Sequence, residues 1–257
     1  ENLIKTVDNL KGEIEISLVG KYVELHDAYI SVVEALKSAG YKYSKKININ
    51  WIDSEDLEKE NVNLKEIFKN TNGILVPGGF GTRGISGKIK AINYARVNKI
   101  PFLGICLGMQ LAVIEFARNV AGIKDASSTE FDEMCKNPVI DLMADQKSII
   151  NMGGTLRLGN YECSLKEKTL AHKVYKEDKI LERHRHRYEF NNEYKELLEQ
   201  KGLVFSGINE ASNLVEIVEI PTHPHFIASQ FHPEFKSRPT RPHPLFDSFI
   251  KASIDKK

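Results

Sequence analysis

Two hydrophobic periods alternate along the first half of the chain. Apolar runs with strand character at 14–19, 47–52, 73–77 and 101–105 are separated by segments at 28–38, 64–69 and 86–98 in which apolar residues recur every three or four positions. Gly40 reads as the stop of the first helix. Another helix opens directly after Cys106, with Leu107, Leu111 and Ile114 as its apolar stripe. Near-continuous apolar strands interleaved with amphipathic helices predict an α/β domain whose parallel, doubly wound sheet is covered on both faces.

The second half changes character. Hairpin-like pieces near 155–164 and 203–220 surround a helix near 193–200, and 226–231 reads as one more strand. This half is expected to add antiparallel edge strands to a mostly parallel, flavodoxin-like sheet flanked by helices. Asn137-Pro138 and Gly153-Gly154 interrupt every pattern between 122 and 152, a stretch expected to be a long functional loop with one short strand. Residues 1–12 read as a linker remnant and 13–257 as one large domain. A chain that begins with Glu1 is expected to have been excised from something longer or processed.

Composition narrows the classes. With 257 residues, 41% of them hydrophobic, the chain can bury a sizeable core. A net charge of +1 argues against a general polyanion binder, so no nucleic-acid partner is expected. Three widely spaced cysteines, 106, 135 and 163, match neither a zinc site nor a disulfide scaffold, so the reading assigns no metal and a cytoplasmic location. No apolar run approaches the roughly 18 residues that cross a bilayer, and no membrane partner is expected.

The chemistry centres on Gly104-Ile-Cys106-Leu-Gly108. A cysteine alone is most often a small buried hydrophobe. Here it stands at a strand-to-helix turn between two glycines, the arrangement of a nucleophile elbow, and the helix N-terminus favours thiolate over thiol. The glycine-rich Val76-Pro-Gly-Gly-Phe-Gly-Thr-Arg-Gly84 follows another strand. It is open to three readings: an ordinary turn, a phosphate cradle, or a set of amides facing the charge on an attacked carbonyl. The P-loop Gly-Lys-Ser/Thr is missing, since Ile89 follows Gly87-Lys88, which favours the third. A thiol nucleophile needs a base, and of eight histidines His232 is preferred. It follows a strand, so it can reach the carboxyl edge that carries Cys106, and Glu234 beyond the stiff Pro233 can orient its ring.

Gly104-Ile-Cys-Leu-Gly-Met-Gln110 together with Phe231-His-Pro-Glu234 resembles the class I glutamine amidotransferases. That family hydrolyses glutamine and passes ammonia to a partner active site. Further blocks fall in family order over about 17–250: Val19–Leu25, Pro77–Gly81, Ser128–Phe131, Gly153–Gly159 and Glu182–Glu189. They resemble the branch whose N-terminal synthetase domain, on the same polypeptide, aminates UTP to CTP. The resemblance implies Cys106 as nucleophile, His232 as base and Glu234 as its orienting carboxylate, with Gly79 and Leu107 supplying amides. It also implies Phe80, Gly108, Met109, Gln110, Glu130 and Arg187 around the glutamine. A zwitterionic substrate needs an anion and a cation, and Glu130 and Arg187 are of those types. The alternative for 182–189 is a solvated edge strand, with Arg183, Arg185 and Arg187 on one face and His184 and His186 on the other.

No cofactor is implied for this domain; ATP and magnesium belong to the synthetase domain, and GTP is an implied activator. Leu156 departs from the family's more frequent Met, a volume-conserving difference. Two other readings stay open: an amidotransferase domain serving a different synthetase, and a non-catalytic binding domain of the same fold.

Overall fold

The structure, a computed structural model, describes residues 2–21, 23–142 and 157–256. The glycine pair 153–154, Leu156 and the end of the expected 122–152 loop lie outside the described residues. The first half runs α1 (Asn2–Asp8), β1 (Glu13–Gly20), α2 (Ile30–Lys42), β2 (Lys46–Asp53), α3 (Leu64–Ile67), β3 (Gly73–Val76), α4 (Ile85–Val97), β4 (Phe102–Ile105) and α5 (Leu107–Asn119). The second half contributes β5 (Ala126–Ser128), β6 (Asn137–Leu142), β7 (Arg157–Leu165), α6 (Leu170–Tyr175), β8 (Lys179–His186) and β9 (Tyr188–Phe190). It closes with α7 (Lys195–Gln200), β10 (Val204–Asn209), β11 (Leu214–Glu219), β12 (Phe226–Ser229) and α8 (Pro244–Asp255).

Nine strands form one sheet in the order β2-β1-β3-β4-β12-β11-β10-β7-β8. The five strands from β2 to β12 pair in parallel, and the remaining four extend the sheet antiparallel, as the change of pattern predicts. Alternation along each strand feeds two cores. Ile74 and Val76 enter one with α4 and α5, while Leu75 enters the other with α2 and α8. Because helices cover both faces, the central strands β3 and β4 carry no polar side chain at all, rather than one at every second position.

Helix α5 is the most enclosed of the described helices, with every residue from Leu107 to Ala117 buried. Each fully buried Leu, Ile or Val there is worth about 1.5–3 kcal/mol. Its one carboxylate, Glu115, is also buried, and Arg96 of α4 grips both oxygens at 2.8 Å while Asn93 and Asn119 donate to Oε1. A buried charge held by that many donors locks α4 to α5, and removing Arg96 would strand it.

The structure corrects several boundaries. Gly40 does not stop α2, which continues to Lys42. It is there because a side chain would meet Ile47 Cγ1 at 2.6 Å and the Lys45 carbonyl at 2.7 Å, so close packing against β2, not a C-cap, requires the glycine. The 122–152 stretch holds two short strands, β5 and β6, which pair with each other and with β9 in a separate three-stranded sheet. Residues 2–8, inside the expected linker, form α1, and strand β12 ends at Ser229 rather than 231. Neither α6 nor α8 was expected; α8 hides Leu245, Phe246, Phe249 and Ile250 completely.

Candidate active site

Three adjacent parallel strands end at one edge. In register, Val76 of β3 and Ala228 of β12 both flank Gly104 of β4, and Ser229 faces Ile105. The chain leaving β3 becomes the glycine-rich loop, β4 leads into Cys106, and β12 leads through Gln230 and Phe231 to His232. Open α/β sheets bind ligands outside the carboxyl ends of their strands, and that is where the predicted groups meet.

Cys106 has φ 52° and ψ −105°, a left-handed conformation that is uncommon for a residue with a side chain. The strained turn projects the sulfur off the sheet edge and is over-determined by its neighbours. Its N–H donates to the Ser229 carbonyl at 2.7 Å, and its own carbonyl accepts from Met109 and Gln110 in the first turn of α5. The flanking glycines are needed for approach: a methyl on Gly108 would sit 2.1 Å from the Val76 oxygen, and one on Gly104 2.8 Å from Ala228 Cβ.

His232 is half-buried beside Cys106, fixed by its N–H to the Arg183 carbonyl at 2.8 Å and stacked on Phe235 at 5.3 Å. Its Nδ1 lies 2.7 Å from Glu234 Oε1. Gly78 touches both members of the pair, since a methyl there would meet His232 Cε1 at 2.9 Å and Cys106 Cβ at 3.5 Å. Burial favours the neutral ring, but the hydrogen bonds and charges of Cys106 and Glu234 outweigh it and push the His232 pKa up to about 10. The site therefore favours the charged form of the His232 ring beside the Cys106 sulfur.

The loop 77–81 is held from below. Lys21 Nζ donates to the carbonyls of Phe80 and Gly81 at 2.8 and 2.9 Å, and Glu130 Oε1 accepts from the Gly81 N–H at 3.0 Å. Lys88, almost wholly buried, has its ammonium near Gly79, and burial with the charge of Lys21 lowers its pKa to about 7. Burial raises the Glu130 carboxyl, opposed by the Gly81 N–H and by Lys21, Arg187 and Lys88. Leu107 opens α5, where N–H groups have no helical partner.

A cavity of about 220 Å³ opens over this edge, walled by Gly78, Gly79, Phe80, Cys106, His232 and Glu234. Tyr29 and Arg185, which the sequence reading did not single out for this place, also border it. Glu130 stands behind the loop it braces, and Arg187 is near enough to Glu130 to influence its charge. Gly108 and Met109 are packed away, and Gln110 spends its amide on the Tyr188 carbonyl at 2.9 Å and on Gln230 Oε1 at 3.2 Å.

The block 182–189 is partly the solvated edge strand of the alternative reading. Arg183 and Arg185 are exposed, but His184 and His186 are buried in a polar cluster in which Arg157 pairs with Glu216 at 2.6 Å and Glu189 at 3.5 Å. Among the described residues, no group of three or more His, Cys, Asp or Glu side chains could hold a metal ion, and no helix is long and apolar enough to cross a membrane.

The family model for class-I glutamine amidotransferases matches residues 24–252, and the chain belongs to that family. Curated relatives named CTP synthase, from Caldanaerobacter subterraneus subsp. tengcongensis and Halalkalibacterium halodurans, are 61% and 60% identical over 97% and 100% of this chain. The chain spans about half the length of the curated relatives it matches, 46% and 48% in these two cases. A solved glutaminase domain of the Trypanosoma brucei CTPS, with acivicin bound, superposes with a TM-score of 0.89 and 39% identity over 95% of each chain. Within the family, the chain is similar over nearly its whole length to the proteins named CTP synthase and to that solved domain. A glutamine amidotransferase from Thermotoga maritima shares the fold alone, with TM-score 0.51 and 13% identity over 94% of this chain and 96% of its own.

Proposed function

We propose that residues 13–257 form a glutaminase that releases ammonia from glutamine through a thioester on Cys106. The observation that carries this reading is the meeting, in one cavity, of Cys106 on its strained turn with the His232–Glu234 pair and the Gly78-Gly79 loop. Thiolate attacks the side-chain carbonyl carbon of glutamine, and the N–H groups of Gly79 and Leu107 hold the resulting oxyanion. The imidazolium of His232 gives its proton to the departing nitrogen, which leaves as ammonia. Neutral His232 then takes a proton from water; the hydroxide adds to the thioester, and the sulfur departs as thiolate with glutamate released. Glu234 keeps the ring oriented throughout.

Glu130 and Arg187 receive the α-ammonium and α-carboxylate, with Phe80 near the substrate side chain and the buried Gly108, Met109 and Gln110 supporting the cavity from behind. In the longer proteins this ammonia serves an N-terminal synthetase domain on the same polypeptide. That domain uses ATP and magnesium to aminate UTP to CTP, with GTP as activator and the cytoplasm as location. Supporting this half of the reading are the relatives' name and their roughly double length.

The test is Cys106→Ala. Hydrolysis of glutamine should be abolished while the circular dichroism spectrum and melting temperature stay near the parent's. Turnover retained in that variant would reject Cys106 as nucleophile.

A further inference from the structure

Gln230 lies between β12 and His232, fully buried, and no role has been given to its side chain. Its backbone is pinned by an N–H to the Glu216 carbonyl at 2.8 Å. Its amide nitrogen reaches Cys106 Sγ at 3.7 Å. We propose that Gln230 donates a hydrogen bond to the Cys106 sulfur and so favours its thiolate form, an inference that rests on the glutaminase reading above and adds a fourth side chain to the machinery.

The orientation of this amide follows from its neighbours. The Tyr188 carbonyl can only accept, so the end of Gln110 that faces it at 2.9 Å must be the NH₂ group. The same NH₂ faces Gln230 at 3.2 Å, which requires Gln230 to present its oxygen there. The remaining end of Gln230, turned to the sulfur, is then a donor. A relay of two amides thus runs from a main-chain carbonyl to the nucleophile, and every side-chain group in it is buried.

A donor aimed at sulfur discriminates between the charged and neutral forms, because a hydrogen bond to an ion is stronger than one to a neutral acceptor. It would act twice in the cycle. The bond is strongest before attack, weakens when the thioester removes the charge, and is regained as the thiolate departs. His232 supplies the counter-charge on the other side of the sulfur, whereas Gln230 supplies a fixed dipole that carries no proton of its own through the reaction.

The experiment follows the rate at which iodoacetamide alkylates Cys106 as a function of pH, on the full chain, with the Cys106 peptide quantified by mass spectrometry to separate it from Cys135 and Cys163. In Gln230→Leu the midpoint of the profile should move up by about one pH unit, and labelling at neutral pH should slow about tenfold. Glutaminase kcat/KM should fall by a similar factor near neutrality and recover at higher pH. A purely structural role would lower activity equally at every pH and leave the midpoint in place. Gln230→Glu keeps the shape and sets a carboxylate against the sulfur; its midpoint should rise further, and it carries the test if the Leu variant does not fold. An unmoved midpoint in the folded variant overturns the proposal. Failure of the glutaminase reading is separable, because it would show in the parent sequence as hydrolysis that survives Cys106→Ala.

Discussion

Gly108→Ala sets two opposing effects against each other at one methyl group. Gly108 is the second residue of α5, and an alanine in a helix interior is favoured over glycine by about 1 kcal/mol. The added carbon, however, would lie 2.1 Å from the Val76 oxygen and 3.0 Å from its carbonyl carbon, where ordinary contact needs about 3.5 Å. Its neighbour is main chain at the end of a central strand, so no side chain can swing aside. Overpacking of this kind costs about 1–3 kcal/mol and sometimes more, and the immobile partner places this case at the upper end or beyond. After subtracting the helical gain, a net loss of about 2–3 kcal/mol remains, which lowers Tm by about 4–12 °C for a chain of this size. Relief by separating β3 from α5 also shifts the 77–81 loop relative to Cys106. A misplacement of about 1 Å can cost about 100-fold in rate, so kcat/KM should fall more than the stability loss alone explains. Thermal melts by circular dichroism and an ammonia-release assay read the two effects separately. Gly122→Ala, where a methyl meets nothing within 4 Å but φ is +81°, is the control: it should cost about 1 kcal/mol and leave kcat/KM unchanged. A Gly108→Ala protein that melts and turns over like the parent would refute the packing argument.

Two further expectations concern charge. Glu234→Gln replaces the 2.7 Å bond to His232 by a neutral one, a loss of about 1.5–3 kcal/mol or about 10–100-fold in kcat/KM; His232 should also lose protons below its present value near 10, drawing the alkaline limb of the pH–rate profile downward. A profile unchanged in shape would count against the pairing. Acid should unfold the protein early: burial lowers the pKa of His184 and His186 to about 2 and 3, and of His223 and His225 to about 4 each. Stability from each is present above its unfolded value of 6.5 and is lost as pH falls toward the folded one. Burial raises Glu189, and Glu216 to about 7, so these two act in the opposite sense, losing stability as pH rises. Four histidines against two carboxyls leave a net uptake of protons on unfolding, so stability should fall as pH drops from roughly 6 to 4.5. Urea titrations that give the same unfolding free energy at pH 6.5 and pH 5 would contradict it.

Much of the site was readable because its signals are local. Gly104-x-Cys106-x-Gly108 reads as an elbow since a strand, a tight turn and a helix start are set by a handful of neighbouring residues. Likewise His232-Pro233-Glu234 spans three positions, and its 2.7 Å contact needs only the short turn between them. Gly40 misled for the opposite reason. A glycine near a helix end signals a stop when judged locally, but here it answers to Ile47 on the next strand and to Lys45 just before it.

From the chain alone came the alternation of strands and helices, the change to antiparallel pairing in the second half, and the chemical types gathered at Cys106, His232 and Glu234. Period and turn chemistry act over a few residues, so they survive in a one-dimensional reading. Tertiary structure alone decided that β12 sits beside β4, which carries His232 to the sulfur. It also turned His184 and His186 inward against Arg157 and Glu216, and aimed the Gln230 amide at Cys106. These depend on strand order, on register and on which polar groups find partners once water is excluded, and such long-range pairings leave no periodic trace in the sequence.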